Sequence, residues 1–164
     1  MTLYPLLAAF ALAASIPAAS IPAAAAPALA ETGDALERAP RQRLALDIFR
    51  ELVEIDTVTA TGDTAAAADA MAARLLAAGF PPADVQVFKP APHKGNLVAR
   101  LRGSGARRPM MLLAHLDVVE ARREDWSVDP FRLTERDGWY YGRGTTDDKF
   151  MAAAFVANLI RYRQ

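Results

Sequence analysis

Two short stretches hold residue types that could bind a cation and act on a polarised bond. His115 and Asp117 close the apolar run Met110-Met111-Leu112-Leu113-Ala114. Asp147-Asp148-Lys149 follows the turn Gly142-Arg143-Gly144-Thr145-Thr146. The chain has no cysteine, so disulfides and thiolate ligands are excluded, and any metal must be held by His, Asp or Glu. A strand that ends in His115 places Asp117 on the same face, two positions on. An Asp there can accept the free N–H of a metal-bound imidazole, fixing its tautomer. A buried His–Asp hydrogen bond with no metal explains the same spacing, and both readings stay open. Asp147-Asp148 also has two readings. One is a helix cap favoured by the helix dipole; the other is a carboxylate bridging two cations. Gly142 and Gly144 would allow the tight turn either requires. A phosphate-binding loop is excluded, because Asp148-Lys149-Phe150 stands where Gly-Lys-Ser/Thr is needed.

These residues need a scaffold. Leu44, Ile48, Leu52 and Ile55 recur at helical spacing, which predicts an amphipathic helix over 34–55. A polar loop follows over 56–63. Thr64 is placed to cap a second helix running to Ala78, with Met71, Leu75 and Leu76 toward the core. Gly79 and Pro81-Pro82 stop it. Strands are predicted over 85–88 and 96–101, separated by a loop over 90–95. Met110 to Ala114 has the continuous apolarity of a strand covered on both faces. Residues 131–133 and 139–141 are predicted to pair across a turn containing Asp137-Gly138. A last helix spans 149–163, with Phe150, Ala154, Ala157 and Ile160 on one side. This order indicates an α/β fold, a layered mixed β-sheet flanked by helices.

Nineteen basic residues balance nineteen acidic ones. That balance argues against nucleic acid or an anionic membrane surface as the main partner. Residues 1–30 carry no charged side chain, and Leu3 to Ala14 is an apolar segment of signal-peptide length. Ala28-Leu29-Ala30 has a small-x-small cleavage pattern, making Glu31 the expected mature N-terminus and export to the periplasm or beyond the expected fate. Met1 to Tyr4 offers no basic residue, so an uncleaved anchor is the alternative; Pro17, Pro22 and Pro27 oppose a spanning helix.

His115-Leu116-Asp117-Val118-Val119, the stretch from Asp125-Trp126 to Asp129-Pro130-Phe131, and Tyr141-Gly142-Arg143-Gly144-Thr145-Thr146-Asp147-Asp148-Lys149 strongly resemble the di-zinc exopeptidase and amidohydrolase family. Carboxypeptidase G, aminoacylase, carnosinase and succinyl-diaminopimelate desuccinylase belong to it. Gly95-Asn96-Leu97-Val98-Ala99-Arg100 is similar to its early strand. The resemblance implies that residues 31–164 form the N-terminal part of a zinc-exopeptidase catalytic domain acting on peptide or N-acyl amino acid amide bonds. It implies two zinc ions per complete site, with His115 binding one and Asp147 bridging both. Asp117 would be the catalytic-site residue that orients His115, Asp148 would support the site, and the Asp147–Asp148 peptide would be cis. The family has a small residue after the Lys, where this chain has Phe150.

The general base, the remaining zinc ligands and a dimerisation domain that would make a homodimer are implied beyond Gln164. Residues 31–164 alone are therefore expected to be inactive. A non-catalytic exported binding domain, or a pseudoenzyme, is the alternative. His93 matches no ligand of the family and is expected at the surface.

Overall fold

The computed structural model describes residues 34–164, with side chains from Pro40 onward. The leader and its cleavage site at residues 28–31 lie outside the described residues. Helix α1 spans Asp34–Glu54, α2 spans Thr64–Ala77 and α3 spans Lys149–Arg163. Strands β1 (Val85–Ala91) and β2 (Lys94–Ala99) form one antiparallel hairpin. Strands β3 (Thr134–Arg136) and β4 (Trp139–Tyr141) form another. No helix among the described residues is long and apolar enough to cross a membrane.

The core lies where the three helices meet. Ile48 and Leu52 of α1, Met71 and Leu75 of α2, and Ala153 and Val156 of α3 are all buried in one cluster with Phe80, Val85 and Leu133. Each large aliphatic side chain buried there contributes about 1.5–3 kcal/mol. The helical spacing of Ile48 and Leu52 therefore translates directly into packing. Two facing assignments do not hold. Leu76 is exposed, because it lies about 100° around α2 from Leu75. On α3 the buried face is Ala152, Ala153, Val156, Ala157 and Ile160, while Phe150 turns out and meets Phe49 edge-on at 5.7 Å.

Local chemistry sets the element ends. Asp63, not Thr64, caps α2, its carboxylate accepting from the Ala66 N–H at 2.8 Å. Thr64 is instead the first helical residue, and its hydroxyl accepts from Gly95 N–H at 3.0 Å, tying α2 to β2. The β1–β2 connection is tighter than the Pro-rich sequence suggests, because Ala91 and Lys94 still pair and leave only Pro92 and His93 to turn. In the second hairpin, Thr134–Arg136, rather than 131–133, pairs with 139–141. Asp137 and Gly138 both have positive φ, 54° and 78°. That is a two-residue turn, which puts Arg136 opposite Trp139 and fixes the register three residues later than expected.

The largest difference concerns Met110 to Ala114. Among the described residues this run forms no ladder, and Met110, Met111 and Leu113 are exposed. Continuous apolarity marks a buried strand only where neighbouring strands accept its backbone. The described residues pair only its continuation, through a parallel bridge between Val58 and Val118. The fold is α/β, with its described strands in two hairpins.

Candidate metal centre

Three connections converge beyond the run. The chain leaves α1 at Ile55, and the Val58–Val118 bridge registers it against the segment after His115: Val118 N–H donates to Thr57 O at 3.1 Å, and Thr59 N–H to Val118 O at 3.0 Å. The Thr57 hydroxyl, fully buried, donates to Leu116 O at 2.7 Å. These bonds hold the backbone on either side of Asp117.

The turn before α3 comes to the same place because two glycines allow it. A Cβ on Gly142 would stand 2.8 Å from Val53 Cγ1. Gly144 has φ +85°, and a Cβ there would stand 2.9 Å from Val118 Cγ1 and 3.0 Å from Lys149 Cδ. Any side chain at Gly144 would therefore displace both Val118 and Lys149. Lys149 itself is fully buried, and its Nζ donates to Ile55 O at 2.8 Å, joining the start of α3 to the end of α1. Burial pushes its ammonium down to about 8, against an opposing pull from Asp56.

His115 and Asp147, 32 positions apart in sequence, meet directly. His115 Nε2 lies 2.7 Å from Asp147 Oδ1. His115 Nδ1 lies 3.0 Å from the Asp117 carbonyl oxygen and 3.4 Å from its Oδ1. A carbonyl only accepts, so Nδ1 carries a proton. The other nitrogen then faces a carboxylate and needs a second proton or a cation. The Asp147 carboxylate holds the His115 imidazole above its usual range; partial burial opposes this and the Asp117 carbonyl supports it. Asp117 Oδ2 accepts from the Thr59 hydroxyl at 3.0 Å. Asp148 stands at the N-cap of α3 but makes no side-chain cap bond, and the Asp147–Asp148 peptide is cis.

The pair borders a cavity of about 300 Å³, whose walls include Val119, Trp126, Arg143 and Thr146. The Arg143 guanidinium lies over the Trp126 ring at 5.1 Å and donates to Glu120 O at 3.3 Å.

An imidazole nitrogen and a carboxylate oxygen suit zinc by type. Two such ligands on one tetrahedral zinc stand about 3.3 Å apart at ordinary bond lengths, so the contact would have to open by roughly 0.6 Å. The Asp147 side chain is 86% exposed, which leaves it room to swing. Among the described residues no group of three or more His, Cys, Asp or Glu side chains could hold a metal ion. The pair thus fits as part of a ligand set.

Sequence reasoning brought His115, Asp117 and Asp147 to one place but missed Thr59 and Lys94. Thr59 lay in a stretch taken only as a polar loop. No sequence signal marked it: Thr57-Val58-Thr59 is too short a run to read as a strand, and Thr57 and Val58 are both buried. Lys94, whose ammonium donates to Thr59 O, carried no pattern of its own.

The probable succinyl-diaminopimelate desuccinylase of Staphylococcus aureus strain Mu50 is 42% identical over 81 residues, 48% of this chain and 20% of that protein. The N-fatty-acyl-amino acid synthase/hydrolase PM20D1 of Xenopus tropicalis is 66% identical over 51 residues, 31% of this chain and 10% of its own length. The chain thus spans a fifth or less of these curated relatives. Human carnosine dipeptidase 1 shares the fold, with a TM-score of 0.62 at 24% identity over 78% of this chain and 30% of its own. Residues 111–164 match the peptidase family M20/M25/M40, and the chain fits that family with partial coverage.

Proposed function

We propose that this chain supplies the N-terminal part of a zinc-dependent hydrolase of peptide or N-acyl amino acid amide bonds. The observation that carries the reading is the convergence of His115 Nε2 and Asp147 Oδ1 at 2.7 Å, with the opposite ring nitrogen already held by Asp117. His115 and Asp147 would be zinc ligands, Asp147 the bridging one, and Asp148 a supporting group. Relatives named as a desuccinylase and an N-fatty-acyl-amino acid hydrolase support the amide class of substrate.

Zinc supplies Lewis acidity toward a carbonyl or a water when bound. The chain's own residues supply position. Asp117 keeps the proton on His115 Nδ1, which leaves Nε2 as the donor atom. Gly144 lets Asp147 reach that nitrogen without moving Val118. Two protein ligands hold zinc weakly compared with three or four. Residues 31–164 alone are therefore expected to show no turnover. A leader removed before Glu31 would place the protein in the periplasm or outside the cell.

A zinc titration followed by nuclear magnetic resonance tests the assignment residue by residue. The ring signals of His115 should move saturably, and those of His93 should not. Asp147→Asn should weaken the response. Equal effects at both histidines, or none at His115, would remove the basis for the reading. The exposed run Met110-Leu113 favours a second reading, a non-catalytic binding domain; it expects no zinc response at His115.

A further inference from the structure

We propose that Thr59 is a positioning residue for the metal centre: its hydroxyl holds the Asp117 carboxylate against the His115 ring. This deepens the proposed function and rests on His115 being a ligand.

The backbone alone sets the place of Thr59. Thr59 N–H donates to Val118 O, and Val118 N–H to Thr57 O, so the parallel bridge fixes Thr59 beside Asp117 without any help from its side chain. The hydroxyl is then free for a separate task. It has one proton and two acceptors within reach, Asp117 Oδ2 at 3.0 Å and Val118 O at 3.4 Å. The nearer is a carboxylate, and a charged acceptor makes the stronger bond.

That bond decides where the Asp117 carboxylate points. The Asp117 side chain is half exposed, and unrestrained it could rotate toward water. With Oδ2 held by Thr59, Oδ1 stays 3.4 Å from His115 Nδ1, beside the carbonyl that already accepts from it. Lys94 closes the arrangement from the other side, its ammonium donating to Thr59 O. The chain of contacts therefore runs from β2 through the α1–α2 loop to the imidazole. Groups that bond a metal's ligands directly tune affinity by about 10–100-fold, and Thr59 acts one contact farther out, through Asp117.

The test uses the full chain in three forms: wild type, Thr59→Val and Thr59→Ser. Val keeps the branched shape and removes only the hydroxyl; Ser keeps the hydroxyl. In the metal-free protein at fixed pH, Thr59→Val should shift the His115 ring ¹⁵N signals and leave those of His93 in place. Its zinc affinity should fall several-fold, up to about 10-fold, the low end of the effect of a direct partner of a ligand. Thr59→Ser should restore both within about twofold. Wild-type ring signals and zinc affinity in Thr59→Val would overturn the proposal.

Should Thr59→Val fail to fold, Thr59→Ala repeats the comparison without the added methyl. Failure of both to fold, by far-ultraviolet circular dichroism, would assign Thr59 to the fold and overturn the proposal as well. If wild type shows no saturable zinc response at His115, the hydrolase reading fails and the metal-centre role falls with it, whereas unchanged ring signals in Thr59→Val with zinc bound overturn the Thr59 proposal alone.

Discussion

Among the described residues, two histidine–carboxylate pairs have nearly the same length and opposite character. His93 Nδ1 lies 2.8 Å from Asp63 Oδ2, and His115 Nε2 lies 2.7 Å from Asp147 Oδ1. In the first pair the second carboxylate oxygen and the histidine backbone are committed to structure. The other Asp63 oxygen caps α2 at Ala66 N–H. The His93 carbonyl accepts from Thr64 N–H, and His93 takes φ +59° to make the turn. In the second pair, Asp147 precedes the N-cap residue, its side chain faces a cavity, and the far nitrogen of His115 is held in a fixed tautomer. A short N···O distance therefore says little alone. What the other lone pairs do separates a staple from a site.

The sharpest way to break this comparison is to remove each ring in turn. His115→Gln is expected to weaken zinc binding at least about 10-fold, while His93→Gln leaves it within about twofold. Isothermal calorimetry on the two variants would measure the contrast directly. Equal losses would mean that the two pairs are not different in kind.

Stability should show the reverse order. Asp63→Ala removes the α2 cap and the His93 bond together, and a lost cap typically lowers the melting temperature of a domain this size by about 3–6 °C. Asp147→Ala should lower it by less than about 1 °C, because that side chain is 86% exposed and caps no helix. Thermal unfolding in chelator-treated buffer would test both. A larger loss at Asp147 would make it the structural residue of the two.

How much of this was legible beforehand depended on whether a pattern was local. The three helices were, because Ile48 and Leu52, Met71 and Leu75, and Ala157 and Ile160 recur at helical spacing and all end up buried. The convergence of His115 with Asp147 was implied by the family resemblance of their two motifs, since spacing alone left a metal-free His–Asp bond and a plain helix cap open. The Met110–Ala114 run was misjudged for a non-local reason: its apolarity describes what would cover it, and the described residues supply no ladder there. The hairpin register slipped for a different cause. The turn chemistry at Asp137-Gly138 was visible, but placing it asymmetrically between the strands moved every partner. The α2 cap expected at Thr64 belongs to Asp63: the Thr64 hydroxyl accepts from Gly95 N–H, while the Asp63 carboxylate accepts from Ala66 N–H.

The smallest expected effect sharpens the structural half of the comparison by pH. The hydrogen bond from His93 holds the Asp63 carboxyl below its usual value of 3.8, and the Ala66 N–H adds to this. A carboxyl lowered on folding binds fewer protons in the native state than in the unfolded one as acid is added. Its contribution is therefore complete above about pH 4 and is lost as pH falls through the folded value. His93→Gln should move the acid-unfolding midpoint upward by a few tenths of a pH unit, about what a partly exposed pair in screened solvent delivers. The shift should shrink in high salt, because the charges face water. In an Asp63→Asn background the same His93→Gln change should produce no further shift, since the group that titrates is gone. Acid titrations of the four proteins, followed by circular dichroism, would expose a coupling elsewhere if His93→Gln shifted the midpoint equally in both backgrounds.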